Sequence, residues 1–296
     1  MRLESYFRQF EIPFEENVPL ASYTTFRVGG PADFFLKPRN QKELIKILPL
    51  LEEEGRSFFV LGGGSNLLVR DGGVRGVVLS LAGLDKFYLD QGLLVAEAGV
   101  FLPRLLTFCL EKGLSGLEFL AGVPATVGGA VAMNAGAFGQ EMKDILAGVF
   151  LYQEGEIRYF LREELDFAYR CFFLPAGSLV VAAAFRLRPT SPAEVKHKLS
   201  RFLAERKKRQ PLSRASAGSI FKNPPQAPAG FLIEAAGLKG FRRGGAQISP
   251  KHANFIVNVG GARAQDVLAL MDLARERVFR EFGVLLEEEV RVVGEG

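Results

Sequence analysis

Apolar and polar residues alternate along this chain with two different periods, and the elements follow from which period holds. Leu44, Ile45, Ile47, Leu48 and Leu51 recur at helical spacing, so residues 41–54 are expected to form a helix with Asn40 as its N-cap and Gly55 as its stop. Pro49 lies inside that pattern and predicts a kink or an early end, because proline lacks an N–H and crowds the preceding turn. Residues 101–112 predict a second helix, closed by Gly113. Short apolar runs at 58–61, 74–79, 93–98, 145–152, 157–160 and 179–187 predict strands. Residues 23–28 read as a further short strand ending in a Gly29-Gly30-Pro31 turn, and residues 166–170 as another turn.

A boundary follows at 189–192. Ser191 to Glu194 is S-x-x-E with Pro192 at the first helical position, which opens a helix to about residue 209. Residues 211–230 are a long loop rich in Ser, Pro and Gly, and loops of about 20 residues are uncommon unless they have a function. Beyond it lie a short helix at 231–236, a strand at 255–259 and an amphipathic helix at 265–282 stopped by Gly283. Residues 284–293 alternate as one strand, with Leu286, Glu288, Val290 and Val292 on one face and Glu287, Glu289 and Arg291 on the other.

Two stretches fit neither period. Residues 113–139 carry no charge between Phe119 and Gln140 but are rich in glycine and include Pro124, a composition too broken for a helix interior. Leu and Ile are too scarce there for a membrane span. The stretch is either a buried, nearly side-chain-free loop system over which a flat ligand lies, or a tightly packed corner with no ligand. Gly62-Gly63-Gly64-Ser65-Asn66 follows a strand and presents bare amides suited to a pyrophosphate. It is not a Rossmann fingerprint, since Leu67 stands where the third glycine belongs, and no Gly-Lys-Ser/Thr makes it a P-loop. A ligand-free glycine hairpin is the alternative.

Composition narrows the classes. With 296 residues, 48% hydrophobic and 24% charged, the chain has the material for about two or three soluble domains. A net charge of +4 suits anionic ligands better than obligate nucleic-acid binding. The basic run 201–214 lies at the end of the expected helix, where cations suit the dipole, and no nucleic-acid motif accompanies it. Two cysteines and an N-terminus with acids among its apolar residues lead us to expect a cytoplasmic protein. Two histidines and unclustered carboxylates predict no metal site. In residues 213–225, Ser216, Ser219, Lys222 and Asn223 supply donors and charge; Ser219 is followed by Ile220-Phe221, so it is no hydrolase elbow. Glu289 with Arg291, and His252 with Asn254, are further polar candidates.

Taken together, these segments resemble the UDP-N-acetylenolpyruvoylglucosamine reductases (MurB) of peptidoglycan synthesis, in the smaller of that family's two types. The carriers, in order, are TTFRVGGPA (24–32), LGGGSNLLVRDGG (61–73), GLEFLAGVPATVGGAVAMNAGAFG (116–139), FAYR (167–170), AGSIFKNP (217–224), GGAQISPKHANFIVN (244–258) and EEEVR (287–291). The resemblance implies an α+β protein: a PCMH-type two-part FAD-binding region (1–83 and 84–190, the last strand returning to the first part) followed by a separate α+β substrate-binding domain (191–296). It implies FAD and NADPH as cofactors and the enolpyruvyl ether of UDP-N-acetylglucosamine as substrate, with neither nucleic acid, membrane nor an obligate protein as partner.

By the same resemblance, Leu61, Gly62, Gly63, Gly64, Ser65, Asn66, Gly122, Val123, Pro124, Thr126, Gly128, Gly129, Asn134, Ala135 and Gly136 would bind FAD. Arg170 would bind the substrate carboxylate, Glu289 would polarise it in protonated form, and Ser219 would deliver the proton. Tyr169, Lys222, Asn223, Gln247, His252, Asn254 and Arg291 would bind substrate. Two positions depart from the family: Phe172 replaces a usual serine and Ala125 a usual glycine, so the φ of Ala125 is expected to be negative. The rival reading is another PCMH-type FAD oxidoreductase acting on a sugar or hydroxy acid. Many of those tether flavin to an N-terminal histidine, whereas His197 and His252 both lie in the C-terminal part.

Overall fold

The structure, a computed structural model, describes residues 3–53, 55 and 57–296. Helices form at Leu3–Gln9 (α1), Gln41–Glu53 (α2), Leu102–Lys112 (α3), Val127–Ala132 (α4), Pro192–Arg209 (α5), Ala229–Ala235 (α6) and Ala264–Phe282 (α7). Their ends obey the expected chemistry. Asn40 Oδ1 accepts the Glu43 N–H at 3.0 Å at the start of α2. Gly113 and Gly283 close α3 and α7 at φ 62° and 67°, the left-handed conformation that glycine adopts without strain. Ser191 Oγ accepts the Glu194 N–H at 3.2 Å, but the Glu194 carboxylate turns to Lys198 and Arg188 instead of completing a reciprocal box.

Of the kink or early end expected at Pro49, the early end is corrected: α2 continues through the proline to Glu53. Leu44, Ile47, Leu48 and Leu51 are buried along one face, and that packing offsets the hydrogen bond proline cannot make. The strand expected at 23–28 is also displaced. Leu20–Tyr23 is a 3-10 turn, Arg27 and Gly29 have φ of 55° and 136°, and the extended segment is Pro31–Leu36.

The chain divides into two compact units. Unit one is Met1–Glu15, Phe34–Gly63 and Gly76–Ala204; unit two is Glu16–Asp33, Gly64–Arg75 and Glu205–Gly296. Residues 191–204 thus belong with unit one, while 16–33 and 64–75 belong with unit two.

Unit one is built on a five-stranded antiparallel sheet in the order Glu156–Leu161, Leu146–Gln153, Leu179–Phe185, Leu93–Glu97, Phe87–Asp90. The central Leu179–Phe185 is buried at every position, which explains its unbroken apolar run. One core gathers Leu105, Phe119, Val127, Val131, Val149 and Phe185. A second joins α2, through Leu44 and Leu48, to Val77, Leu79, Tyr152 and Val181. Phe58–Leu61 pairs parallel with Val77–Ser80, and Gly62 emerges from the end of that strand.

Unit two packs α6 and α7 against a small sheet, Arg242–Arg243, Ala246–Ile248 and Ile256–Asn258, through Ile233, Ile248, Val267, Leu270, Met271 and Val278. The Asp71 carboxylate caps α7, accepting the Ala264 and Gln265 N–H groups at 2.8 and 3.1 Å. The continuous strand expected at 284–293 is shorter. Val284, Leu286 and Val290 are buried as the alternation predicted, yet only Arg291–Val293 forms a strand, parallel to Leu67–Val69. Upstream, Glu289 and Val290 both donate to the single carbonyl of Ile220, at 2.8 and 3.2 Å, and a regular ladder cannot pass that point.

Replacing Pro49 by alanine restores a donor inside α2. Pro49→Ala is expected to stabilise the protein by about 1–2 kcal/mol, after discounting the freedom regained by the unfolded chain. A rise in the urea midpoint at unchanged m-value checks this.

Candidate functional site

In unit one the glycine loop meets the 122–129 segment backbone to backbone. A Cβ built on Gly62 would lie 2.9 Å from Thr126 Oγ1, and one on Gly63 would lie 3.1 Å from the Pro124 carbonyl oxygen and 3.2 Å from the Thr126 nitrogen. Among the described residues no acceptor takes the N–H of Gly62 or Gly63. Thr126 is only 6% exposed, and its hydroxyl has no hydrogen-bond partner in the described chain. Buried polar groups left without partners are uncommon in folded proteins. Two bare amides and an orphaned hydroxyl in a cradle without side chains suit an anionic, flat-faced ligand, and the arrangement fits the pyrophosphate-containing FAD.

The stretch at 113–139 is more structured than expected. It holds a 3-10 turn at Glu118–Leu120, the helix α4, and a hairpin pairing Gly136–Ala137 with Gln140–Glu141. Gly128 and Gly129 sit in the first turn of α4, where Val127, Gly128, Ala130 and Val131 are buried, so tertiary packing overrides the glycines' weak helix preference. A Cβ on Gly128 would lie 3.2 Å from the Ala98 Cα, and its N–H donates to the Ala98 carbonyl at 2.8 Å. That amide serves the fold. Leu61 is likewise buried behind the loop, while Gly122 and Pro124 are exposed and Val123, Gly129, Ala135 and Gly136 half-buried. Ala125 avoids positive φ as expected, and its carbonyl accepts the Leu102 N–H at 2.9 Å.

Arg170 lies at the tip of a hairpin pairing Phe167–Ala168 with Cys171–Phe172, at φ 57°. Its guanidinium stands over the Tyr169 ring, 5.0 Å from the centroid. Phe172 stacks on Phe167 at 4.2 Å and 12°, so an aromatic pair occupies the position where serine is usual. Asn134, expected at the cofactor, is fully buried, and its amide is engaged by protein groups on every polar atom.

In unit two the long loop is tied down at successive residues. Asn258 N–H donates to the Ala215 carbonyl at 2.8 Å and the Thr25 hydroxyl to the Ser216 carbonyl at 2.7 Å. Gly218, at φ 77°, turns the chain into Ser219. Asn254, 3% exposed, then brackets the Phe221 peptide: Oδ1 accepts its N–H at 2.9 Å and Nδ2 donates to its carbonyl at 2.8 Å. The Ile220 carbonyl receives the Glu289 N–H, and Asn66 Nδ2 donates to the Glu289 carbonyl at 2.8 Å. Ser219 and Glu289 are therefore held on adjoining backbone. The side-chain donor of Asn66, expected on the cofactor, is directed to that junction, and the Asn66 carbonyl accepts the Arg291 N–H at 3.0 Å. Gly64 is buried, its carbonyl accepting the Thr25 N–H at 3.1 Å, while Ser65 remains half-buried.

The other expected substrate groups are spread through unit two. Lys222 pairs with Glu287 at 3.3 Å, Asn223 Oδ1 accepts the Ala229 N–H at 3.0 Å at the start of α6, and Gln247 Nε2 donates to the Gly240 carbonyl at 3.0 Å. His252 packs its ring edge on Phe255 and over Gly230, and its Nδ1 accepts the Asn254 N–H at 3.3 Å. Burial, and secondarily Lys239, lower its pKa and so favour the neutral ring. The structural roles of Asn66, Asn134 and Asn254 were not distinguished by sequence reasoning, although asparagines inside largely apolar segments need partners once buried.

Gly62→Val is expected to remove the flavin, read as the 450 nm absorbance per chain, and to lower the melting temperature of the flavin-free protein as well, because the added Cβ meets Thr126 Oγ1 at 2.9 Å. Thr126→Val, which removes only the orphaned hydroxyl, should lower flavin content with the flavin-free melting temperature near that of the parent. His252 yields a pH prediction. A neutral histidine with a lowered pKa contributes stability that is complete above the unfolded value of about 6.5 and is lost as pH falls through the folded one. His252→Gln should therefore flatten the decline in urea midpoint below about pH 6.5.

Comparison with known proteins agrees with this geometry. A family profile described as an FAD binding domain matches residues 32–158, and one described as the C-terminal domain of UDP-N-acetylenolpyruvoylglucosamine reductase matches residues 210–293. The chain is 45% identical over 284 residues to the UDP-N-acetylenolpyruvoylglucosamine reductase of Syntrophotalea carbinolica, covering 96% of this chain and 95% of that protein. It is 47% identical over 283 residues to the enzyme of that name from Syntrophus aciditrophicus, covering 94% and 91%. The crystal structure of UDP-N-acetylenolpyruvylglucosamine reductase (MurB) from Thermus caldophilus superposes with a TM-score of 0.82 at 39% identity, covering 96% of this chain and 99% of that one.

Proposed function

The chain belongs to the UDP-N-acetylenolpyruvoylglucosamine reductase family and is an FAD-dependent oxidoreductase that uses NADPH in peptidoglycan precursor synthesis; we propose that Arg170, Ser219 and Glu289 carry the chemistry on its substrate. That substrate is the enolpyruvyl ether of UDP-N-acetylglucosamine, and the product is UDP-N-acetylmuramate. Gly62, Gly63 and Thr126 would hold FAD. When bound, FAD supplies to the terminal carbon of the enolpyruvyl group a hydride drawn from NADPH.

An enol ether accepts hydride poorly, and conjugation with a carboxylate helps only if the charge that develops there is stabilised. Arg170 binds the carboxylate and offers fixed positive charge where the negative charge accumulates. Glu289, as a neutral carboxyl, donates a hydrogen bond to the same group. Ser219 passes its hydroxyl proton to the adjacent carbon and regains one from solvent. A serine is a weak acid, so this step needs a strongly basic acceptor at close range, which the enolate provides. Lys222 and Asn223 hold the nucleotide-sugar part, and Tyr169, Gln247 and Arg291 complete the substrate contacts. In sequence the FAD region divides at residue 83 and the substrate region begins at residue 191, although residues 191–204 pack with unit one and residues 16–33 and 64–75 with unit two. Its setting is the cytoplasm, in keeping with two cysteines that form no disulfide with each other. No helix of the described residues is long and apolar enough to cross a membrane.

The observation that carries this reading is the junction at Ile220, whose carbonyl accepts the N–H of Glu289 and so keeps the serine beside the glutamate in unit two. Ser219→Ala tests it. Flavin reduction by NADPH should proceed at the parent rate, while reoxidation by the enolpyruvyl nucleotide sugar should slow by about 10²–10⁴-fold. Normal turnover in that variant would exclude Ser219 as the proton donor.

A further inference from the structure

We propose that Asn134 is a positioning residue for Arg170, tying the hairpin that carries the arginine to the hairpin on which its guanidinium rests. The inference depends on the reading of Arg170 as the carboxylate-binding group and adds to it a residue that fixes where the guanidinium stands.

Asn134 follows α4 at φ 41°, a left-handed conformation that asparagine tolerates better than most residues. At 0% exposure it touches no solvent, so its side chain meets no ligand in this arrangement. Nδ2 donates to the Ala168 carbonyl at 2.9 Å and to Glu141 Oε2 at 3.0 Å, while Oδ1 accepts the Lys143 N–H at 3.1 Å. Ala168 is the last residue before the Tyr169-Arg170 tip. Glu141 lies directly across the other hairpin from Gly136. A Cβ built on Gly136 would lie 2.8 Å from Arg170 Nη1, so the guanidinium is seated against that bare Cα.

One amide therefore spans from the base of the arginine's hairpin to the strand beneath its head group. Lys143 Nζ, 2.8 Å from the Glu141 carboxylate, steadies the same corner. The identity of the residue matters. Aspartate would aim a carboxylate oxygen at a carboxylate and a carbonyl, whereas alanine would take the side-chain partner from the Ala168 carbonyl and the Lys143 N–H. A displacement of about 1 Å in a substrate-positioning group costs on the order of 10²-fold in rate.

The test uses the flavin-loaded protein and separates the two half-reactions by stopped flow. Asn134→Asp should retain flavin and be reduced by NADPH within about twofold of the parent rate, yet be reoxidised by the enolpyruvyl nucleotide sugar at least about tenfold more slowly. In an Arg170→Met background the same substitution should add less than about twofold, because the group it positions is gone; a merely structural asparagine would cost equally in both backgrounds. Should Asn134→Asp fail to fold, Glu141→Ala, whose side chain is 20% exposed, removes one anchor and should show the same split. Loss of flavin, or equal loss of both half-reactions, would overturn the inference. If Arg170→Met itself left reoxidation unchanged, the carboxylate role of Arg170 would fail first; if it slowed reoxidation and both anchor variants did not, only the role of Asn134 would fall.

Discussion

Irregular backbone inside a protein must find partners for its N–H and C=O groups, and in this chain asparagine side chains supply many of them. A helix or a ladder satisfies the peptide units automatically, but the tips and loops that carry Arg170, Ser219 and Glu289 have no such ladder. Asn254 acts as a short extra strand for the Phe221 peptide, accepting its N–H and donating to its carbonyl. Asn66 reaches the Glu289 carbonyl, and Asn134 reaches that of Ala168. Asn258 donates to the Phe26 carbonyl and accepts from Gly260 and Ala262, closing the turn after its own strand. An amide can do this because it carries a donor and an acceptor about 2 Å apart, much as a peptide does. Alanine in place of Asn254 would leave the buried Phe221 N–H and carbonyl without their side-chain partner, at a cost of about 1–3 kcal/mol each.

Glycine solves the complementary problem of closeness. Where asparagine fills a gap between backbones, Gly62, Gly63, Gly128 and Gly136 remove the side chain so that two segments, or a segment and a guanidinium, can touch. The two devices alternate in sequence: glycines bring 62–63 onto 124–126, then Asn66 fastens the same loop's far end in unit two. Among the described residues the amides of Gly62 and Gly63 keep no protein acceptor, while the residues on either side are bonded. Within unit one, the close backbone contact of Gly62 and Gly63 with residues 124–126 holds these donors in place, so that less ordering free energy opposes a ligand.

Much of this was legible in the sequence, for definite reasons. The helices α2, α3, α5 and α7 followed from apolar spacing, caps and closing glycines, because those signals are local. Residues 284–293 were legible only in part. Their alternation predicted which side chains are buried, but not that Ile220 would take two N–H groups and end the ladder, since that partner lies some 70 residues away. The helix α4 was hidden for the opposite reason, because a buried seat on Ala98 stabilises glycines that propensity rejects. Among the site residues, the glycine loop and the serine loop stood out by composition. Which of their asparagines face a ligand and which brace the fold depends on burial, and a single sequence carries no direct record of burial.

The two departures from the family pattern show how far a local change is absorbed by packing. A serine two positions beyond Arg170 would contribute a hydroxyl, whereas Phe172 contributes a ring stacked on Phe167 across the hairpin. Arg162 stands over the other aromatic of that pair, 4.8 Å from the Phe167 centroid, so the base of the hairpin is clamped by dispersion and cation–π attraction. A hairpin of two-residue strands is marginal alone. With an aromatic clamp at its base and an asparagine on the carbonyl before its tip, its only exposed work is to hold Arg170 at a left-handed φ. Ala125 follows the same logic: its φ is ordinary, its carbonyl is fixed by Leu102, and its methyl joins the buried core, so alanine fits where the backbone no longer asks for glycine.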